Sequence, residues 1–225
     1  MNNLALVIFS ADINKDLWII NDKLINKYWP NHPKIYLLTE TEQYNNFNTI
    51  NFNYPINKWT MRIRKSLETI EEDYIIFMCD DCFIQSKVNE ELLEESLKVI
   101  QNNDNIANIN FELSFDKKDT ECDFPFLKYR PKYSSIRVSL LCGLWNKEKL
   151  INVLSQNCSP WEIEKRQDDK NYDYYILKDK FIIHWFNNAP NLCGAIKEGK
   201  WYKESLKFLL KEGFNINSLK IREVR

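Results

Sequence analysis

The chain has little net charge of either sign. Its 225 residues include 31 basic and 32 acidic side chains, for a formal net charge of −1. This balance gives no electrostatic reason to expect nucleic acid as the main partner. With 44% hydrophobic residues the chain can bury one sizeable core, so we expect a single domain over residues 1–225.

Long apolar runs are also missing. No stretch reaches the roughly 18 apolar residues that a membrane-spanning helix needs. The N-terminal sequence MNNLALVIFSADIN has an apolar run too short, and too uncharged in front, for a secretory signal. We therefore expect a cytoplasmic protein. The C-terminal sequence KFLLKEGFNINSLKIREVR is basic and amphipathic, which is compatible with peripheral contact at the inner face of a membrane or with a solvated surface helix.

Paired cysteines and histidines are scarce. Cys79 and Cys82 form one C-x-x-C motif, and the chain has no second such motif and two His in all. In a cytoplasmic chain we expect the six cysteines to be reduced. Because the C-x-x-C encloses two Asp at the end of a strand, zinc or thiol–redox chemistry is the interpretation that the sequence supports least.

The first half of the chain alternates between strand and helix patterns. Continuous apolar runs predict buried strands over residues 4–10, 34–38, 49–52, 74–79 and 106–111. Apolar residues at helical spacing predict helices over 12–29, 59–70 and 88–100. This alternation predicts an α/β fold with a mostly parallel sheet and helices on both faces.

The second half is less regular. Residues 114–135 are polar and contain two prolines, which predicts a loop or a hairpin insert. Further strands are predicted over 139–145, 174–177 and 180–185, and helices over 147–154 and 201–210.

Two adjacent acids end the strand predicted at 74–79. In open α/β sheets ligands bind outside the carboxyl ends of the strands, which is where Asp80 and Asp81 fall. Adjacent carboxylates at such a place repel each other, and a divalent cation removes that conflict. Hard oxygen ligands suit Mg²⁺ or Mn²⁺, although a solvated Asp-Asp turn is an equally ordinary interpretation.

Cationic side chains are expected near these acids. The helix predicted at 59–70 should run antiparallel to the following strand, so its start lies at the same edge of the sheet. Lys58 and Arg62 would then approach Asp80 and Asp81. A metal, cationic side chains and a helix N-terminus together suit a diphosphate.

Two further stretches offer candidate residues. PWEIE, residues 160–164, contains Trp161, whose face could stack on a sugar ring or pack in the core. Glu162 and Glu164 are two apart, so at most one should face a site, where it could act as a general base. His184 ends the apolar run FIIHW and is either a core histidine or a late metal ligand.

Three stretches give the chain a resemblance to a known family. They are W-x-x-R with LETIEEDYIIFMCDDCFI, SLLCGLWNKEKL followed by PWEIE, and AIKEGKW at residues 195–201. The sequence resembles glycosyltransferases of the GT-A type from bacterial capsule and lipopolysaccharide gene clusters. Such enzymes move a sugar from a nucleotide-diphosphate donor to a glycan or lipid-linked glycan, using an Asp-x-Asp-like motif that holds Mn²⁺ or Mg²⁺.

The resemblance implies roles for individual residues. It divides the domain into a nucleotide-sugar-binding half, residues 1–111, and an acceptor-binding half, residues 112–225. Because Cys-Asp-Asp-Cys departs from Asp-x-Asp, the division of roles between the two acids stays open. The implied assignments are Ser10, Asp12, Lys58 and Arg62 near the donor, Asp80 at the donor ribose or the metal, Asp81 and His184 on the metal, Glu162 or Glu164 as base if the reaction inverts, and Trp145 and Trp161 at the acceptor.

Two rival functions remain at this point. A nucleotidyltransferase would share the sheet, the metal and the diphosphate site, but it usually has a glycine-rich phosphate loop, and LVIFSADINKD contains no glycine. A non-catalytic module that holds a sugar or nucleotide would keep Trp145 and Trp161 without needing Asp81 or a glutamate base.

Overall fold

The computed structural model describes residues 3–166, 172–185, 194–220 and 223–224. Strands and α-helices alternate through most of this length. The strands are β1 (Leu4–Phe9), β2 (Lys34–Thr39), β3 (Asn48–Asn51), β4 (Tyr74–Cys79), β5 (Ile106–Leu113), β6 (Thr120–Glu121), β7 (Leu127–Tyr129), β8 (Cys142–Asn146), β9 (Asp173–Leu177), β10 (Ile196–Lys197) and β11 (Lys200–Trp201). The α-helices are α1 (Trp18–Tyr28), α2 (Trp59–Leu67), α3 (Glu90–Gln101), α4 (Lys147–Val153), α5 (Pro160–Arg166) and α6 (Lys203–Lys211). None of these helices combines the length and the apolar character needed to cross a bilayer.

Nine strands form one sheet in the order β3-β2-β1-β4-β8-β5-β9-β7-β6. β1 lies in parallel between β2 and β4, β2 also pairs with β3, and β5 pairs with β9, all in parallel. β8 runs antiparallel between β4 and β5, so β4 and β5 point the same way. The expected α/β fold with a mostly parallel sheet is confirmed, and β8 joins the two halves of the chain in one sheet.

Helices cover both faces of the sheet, as expected. The central strands are apolar at nearly every position, so their alternating side chains supply a core on each side. On one face Leu6 belongs to the same core as Trp18 of α1 and Leu93 of α3. On the other face Val7 shares a core with Ile63 of α2, and α4 and α5 contribute there as well. A third cluster packs α6 against the outer side of α1.

One predicted strand is wrong. Residues 180–185 form no strand, and within the described chain their one β-bridge is between Trp185 and Ile84. The segment instead runs beside the residues that follow β4, where Gln85 N donates to His184 O at 2.8 Å and Asn89 N to Ile182 O at 2.9 Å. It has no place beside β9, because β5 and β7 already pair with the two edges of that strand. The insert at 114–135 is the β6–β7 hairpin, which extends the sheet.

The topology brings one end of several strands to a common edge. β1, β2, β4 and β5 point the same way, so the residues that follow them meet at the carboxyl edge of the sheet. Ser10, Glu40 and Asp80 follow the first three of these strands, and Glu112 lies near the end of β5. All four are polar, whereas β1 and β4 are apolar along almost their whole length, so polar side chains gather at this edge.

Glu112 is a buried acid with an incomplete set of partners. It is 3% exposed and lies beside Arg130, which is 1% exposed. Among the described residues, Glu112 Oε1 and Arg130 Nε and Nη1 have no hydrogen-bond partner. Burial raises the pKa of Glu112 to about 7; the positive charge of Arg130 opposes this rise and the negative charge of Glu164 adds to it. This acid therefore holds its proton close to neutral pH.

The strand β8 contains a glycine that a larger residue cannot replace without movement. A Cβ at Gly143 would lie 2.8 Å from Asn108 Nδ2 and 3.0 Å from the carbonyl oxygen of Ile109 on β5. We expect Gly143→Ala to lower the free energy of unfolding by about 1–3 kcal/mol, because the neighbouring backbone is fixed in the sheet. Urea denaturation measures the change. In an unstrained strand alanine is more stable than glycine, so an unchanged or increased stability would contradict the close contact.

The buried Glu112 predicts a pH dependence of stability. The pKa of Glu112 is about 7 in the folded protein, above its ordinary value of 4.5. The contribution of this side chain to the free energy of unfolding is therefore complete below about pH 4.5 and is lost as the pH rises towards 7. Glu112→Gln removes this loss. The variant should gain up to about 3 kcal/mol of stability relative to wild type on going from pH 5 to pH 8. Urea unfolding at both pH values tests this, with the exposed Glu95→Gln as control. Parallel pH profiles for Glu112→Gln and wild type would refute it.

Candidate functional site

Asp80 is held in place by side chains from the start of the chain. β1 and β4 pair so that Phe9 lies opposite Cys79, and the residue after each strand therefore meets the other. Ser10 Oγ donates to Asp80 Oδ2 at 2.5 Å and itself accepts from Trp18 Nε1 at 2.7 Å. Asn14 Nδ2 donates to the same carboxylate oxygen at 3.1 Å. Ser10 and Asp80, which were assigned separately to the donor side, are thus in direct contact.

Local backbone geometry explains how Asn14 reaches this site. The helix predicted from residue 12 begins as a 3₁₀ helix, Asp12–Leu17, and the backbone at Asn14 is not helical. Asn21, one turn into α1, donates its amide to the carbonyl oxygen of Asp80 at 2.6 Å. Neither asparagine was singled out in the sequence, because their contacts with Asp80 join residues that are 66 and 59 positions apart.

Two buried acids stand next to each other in the turn after β4. Asp80 is 3% exposed and Asp81 is 8% exposed. Burial, followed by the charge of Asp81, raises the pKa of Asp80 to about 7, although hydrogen bonds from Ser10 and Asn14 act in the opposite direction. The conflict between adjacent carboxylates that the sequence predicted is therefore present in the fold.

Asp81 is bound by the segment before and within β10. Ile196 N donates to Asp81 Oδ2 at 3.1 Å, and Ala195 N donates to Asp81 O at 2.9 Å. A Cβ at Gly194 would lie 2.3 Å from both Cγ and Oδ2 of Asp81. The absence of a side chain at Gly194 thus lets this segment approach the acid. Residues 79–82, at the end of β4, are called the acidic turn below. The stretch at 195–201, which contributes to the family resemblance, therefore begins beside this turn.

Three potential metal ligands gather in this turn. One ligand atom from each of Cys79, Asp80 and Asp81 lies within 4.8 Å of the others. A cation would relieve the repulsion that raises the pKa of Asp80, so the donor set and its electrostatics fit a divalent metal. The sequence marks Cys79 only through its C-x-x-C motif and does not predict it as a ligand in this site.

His184 is outside that group of ligands. Its ring stacks on Phe181 with centroids 4.6 Å apart, and its carbonyl oxygen accepts from Gln85 N. Burial lowers the pKa of the imidazole. The structure therefore does not unite His184 with Asp81, because the chain around it runs beside residues 84–89 rather than over the acidic turn.

Arg62 reaches the site and Lys58 does not. Arg62 on α2 is 4% exposed, donates to Ser10 O at 2.9 Å and forms an ion pair with Glu40. Burial lowers the pKa of Arg62, and the nearby acids oppose this effect. Lys58, just before α2, is exposed to solvent. Glu40 was missed in the sequence, because nothing local marks it as the partner of a residue 22 positions away.

Asp12 has a structural role at the edge of the site. Its carboxylate accepts hydrogen bonds from Thr41 N at 3.0 Å and from Thr41 Oγ1 at 2.6 Å, and also from the amides of Glu40 and Glu42. Partial burial opposes a fall in its pKa, but these hydrogen bonds outweigh it and the pKa is lowered. Asp12 therefore fixes the loop after β2, and its carboxylate is already engaged there.

A cleft of about 170 Å³ opens beside the Ser10–Asp80 contact. Trp161, at the start of α5, is 64% exposed at one wall, and Trp59 of α2 is 4% exposed below it. Trp161 was predicted on the acceptor side, yet it lies with Ser10 and Arg62, which were predicted near the donor. The full lining is Phe9, Ser10, Ala11, Asn14, Glu40, Trp59, Arg62, Cys79, Asp80, Pro160 and Trp161.

The structure gives different surroundings to the two glutamates of PWEIE. Glu162 is exposed and accepts from Ser159 N at 2.7 Å and Ser159 Oγ at 2.8 Å, which is the capping-box arrangement of a helix start. Glu164 is half-buried and accepts from Leu140 N at 3.0 Å. Burial raises the pKa of Glu164, and the hydrogen bond from Leu140 opposes the rise.

Trp145 is far from the site. It is fully buried on β8, pairs with Ile75 near the beginning of β4, and packs edge-on against Tyr174. Because β8 runs antiparallel to β4, this residue lies towards the edge of the sheet opposite Asp80. The sequence did not reveal the direction of β8, and the predicted acceptor role of Trp145 does not fit its place in the core.

No known protein-family model and no curated protein sequence matches the chain. Its fold is similar to solved structures. TarS of Staphylococcus aureus has a TM-score of 0.50 and 10% identity over 80% of this chain and 36% of that one. A cytidylyltransferase from Leptospira borgpetersenii has a TM-score of 0.48 and 12% sequence identity, over 80% of this chain and 77% of that one. The glycosyltransferase GlyE of Streptococcus pneumoniae has a TM-score of 0.44 and 12% sequence identity, over 76% of this chain and 44% of that one.

These similarities concern the fold. The chain spans about a third of the length of TarS and less than half of GlyE. At such low identity the likeness does not separate sugar transfer from nucleotidyl transfer. The likeness to TarS, together with the sheet order, confirms the expected GT-A-like α/β fold.

Proposed function

We propose that the protein is a metal-dependent glycosyltransferase that moves a sugar from a nucleotide-diphosphate donor to a glycan or lipid-linked glycan acceptor in surface polysaccharide synthesis. The observation that carries this proposal is the cleft at the carboxyl edge of the sheet. It joins an exposed aromatic wall, Trp161, to the polar pair Ser10 and Asp80, and Asp81 follows directly in the acidic turn.

The cleft suits the nucleoside part of a donor. Trp161 offers a broad, accessible face on which a planar base or the apolar face of a sugar can stack. Ser10 and Asp80 place hydroxyl and carboxylate oxygens at the floor, where ribose hydroxyls could bond. We therefore move Trp161 from the acceptor side to the donor side of the proposed site.

The acidic turn suits the diphosphate through a metal. Asp81 and Asp80 are the residues that would hold Mn²⁺ or Mg²⁺. When bound, such an ion offsets the charge on the departing nucleoside diphosphate. Arg62 contributes less to this than its charge suggests, because Glu40 already neutralises it. Its contact with Ser10 O makes it a residue that shapes the cleft floor.

Glu164 is the better candidate for the general base. In an inverting transfer the base takes the proton of the acceptor hydroxyl as that oxygen attacks the anomeric carbon. Glu164 is half-buried and burial raises its pKa, so its carboxylate is a stronger base than that of an exposed glutamate. Its partner Leu140 precedes Leu141, whose carbonyl accepts from Cys79 N at 2.9 Å, so this glutamate is connected to the acidic turn. Glu162 is engaged in capping α5.

A nucleotidyltransferase is the main rival, because it would use the same cleft and metal. The structure of residues 10–17 argues against it: the segment after β1 is a short 3₁₀ helix without glycine rather than a glycine-rich phosphate loop. A binding module without catalysis is the second rival. It would bind the nucleotide but release no product.

Ligand binding gives the first test of the proposal. Thermal unfolding should be followed with UDP, GDP, CDP and TDP, their sugar conjugates, and CTP, each with and without Mn²⁺. We expect one nucleotide class to raise the melting temperature, more strongly with Mn²⁺, because ligands stabilise the state that binds them. Mass spectrometry of the same mixtures should detect the free sugar, or a glycoside when an acceptor is present.

The outcomes separate the three functions. Release of pyrophosphate from CTP would replace the glycosyltransferase with a nucleotidyltransferase, and binding without any product would favour the binding module. Asp81→Asn should abolish the Mn²⁺-dependent part of the stabilisation, whereas Asp104→Asn, in the exposed turn before β5, should leave it intact. If the stabilisation of Asp81→Asn still depended fully on Mn²⁺, Asp81 would not be a ligand of the metal.

The assignment of the base can be tested with matched variants. Glu164→Gln should lower kcat by about 100-fold or more, because a general base contributes about 10²–10⁴-fold, while the donor-induced thermal shift persists. Glu162→Gln should leave kcat within about threefold, because glutamine also completes a capping box. Kinetics with the active nucleotide sugar supply the measurement. The reverse pattern would make Glu162 the base.

A further inference from the structure

Cys79 differs from the other described cysteines in its place in the fold. It is the last residue of β4 and lines the proposed donor cleft together with Asp80. Cys82, Cys142 and Cys158 are buried, and Cys122 lies in the β6–β7 hairpin region. Of the described cysteines, Cys79 alone both belongs to the group of potential ligands in the acidic turn and lines the space where a donor would bind.

The turn after β4 explains why the sulfur and the two carboxylates converge. Cys82 N donates to Cys79 O at 3.1 Å, so residues 79–82 form a tight four-residue turn with both acids at its centre. Cys79 Sγ lies 3.6 Å from Asp80 Oδ1. One ligand atom from each of the three side chains lies within 4.8 Å of the others, a spacing that one ion could bridge.

The position of Cys79 in the sequence also favours a role as a metal ligand. In an Asp-x-Asp motif that ends at Asp81, the first aspartate would stand at position 79, where this chain has cysteine. Cys79 would thus offer a soft sulfur atom at the place where such a motif has a hard carboxylate oxygen. Thiolates favour metals such as Zn²⁺, whereas Mg²⁺ strongly prefers oxygen.

We propose that Cys79 is a sulfur ligand of the metal that Asp80 and Asp81 hold, and that it shifts the preference of the site from Mg²⁺ towards thiophilic divalent ions. The inference rests on the metal site of the proposed function, not on the identity of the sugar or the acceptor. On coordination the thiol proton leaves to solvent and the sulfur binds as thiolate. Cys82 is no ligand, because its Sγ points to the carbonyl oxygen of Leu141 at 3.6 Å.

Co²⁺ is a suitable probe, because a cobalt–thiolate bond gives a near-ultraviolet charge-transfer absorption that carboxylate ligands do not give. Titration of the reduced full chain with Co²⁺ should produce this band with one equivalent. Cys79→Ser should lose the band, whereas Cys82→Ser should keep it. Cys79→Asp should also lose it but still bind the ion, as seen from thermal stabilisation and from the visible cobalt spectrum.

Metal preference provides a second readout that does not require activity. Thermal shifts with Cd²⁺ and Mg²⁺ yield apparent affinities, and wild type should favour Cd²⁺ over Mg²⁺. In Cys79→Asp the Cd²⁺-to-Mg²⁺ ratio should fall by roughly tenfold or more, since even changes outside the ligand shell cost 10–100-fold in affinity. The aspartate variant also shows that any loss is not a failure to fold.

Failure of this inference is distinguishable from failure of the proposed function. Binding of Co²⁺ without the charge-transfer band, or a band unchanged in Cys79→Ser, would overturn the role of Cys79 and leave a carboxylate metal site intact. No binding of Co²⁺, Mn²⁺ or Cd²⁺ at all would overturn both the sulfur ligand and the metal dependence of the proposed transferase. A band lost in Cys79→Ser but kept in Cys82→Ser supports the sulfur ligand.

Discussion

The two adjacent carboxylates at the buried end of β4 are the constraint on which the site depends. Asp80 is stabilised by donors from the first 21 residues, among them Ser10 and Asn14. Asp81 is stabilised by amides from residues 195 and 196. The acidic turn therefore holds the beginning and the late part of the chain together at one edge of the sheet. Substitutions that displace either acid should disturb both segments, so the geometry of the site and the packing of the ends are coupled.

The charges around the cleft determine how an anionic ligand would be received there. The charged side chains that line it are Glu40, Arg62 and Asp80, and Arg62 and Glu40 neutralise each other. With Asp81 next to Asp80, the site has an excess of negative charge when both acids are ionised. A nucleoside diphosphate would be repelled there unless a cation is bound first. A bound cation would reduce this repulsion, which is the electrostatic argument for the metal in the proposed function.

Local patterns predicted most of the fold and only part of the site. The apolar runs identified the central strands, and the position of Asp80 and Asp81 after β4 followed from that strand alone. The contributions of Glu40 and Asn14 depend on contacts between distant residues, which periodicity does not reveal. Trp145 was misplaced for a related reason, since an apolar strand pattern contains no information on its direction in the sheet. Residues 112–225 as an acceptor-binding half remain a prediction.

A second pair of acids lies outside the cleft lining, and its repulsion is relieved in another way. Glu112 and Glu164 come from β5 and α5, and the negative charge of Glu164 disfavours ionisation of the buried Glu112. Asp80 and Asp81 adjoin the cleft, where a cation could enter, whereas Glu112 is enclosed beside Arg130 and keeps its proton close to neutral pH. The fold therefore places the acidic pair that a cation could reach at the cleft, and the pair whose repulsion a proton relieves away from it.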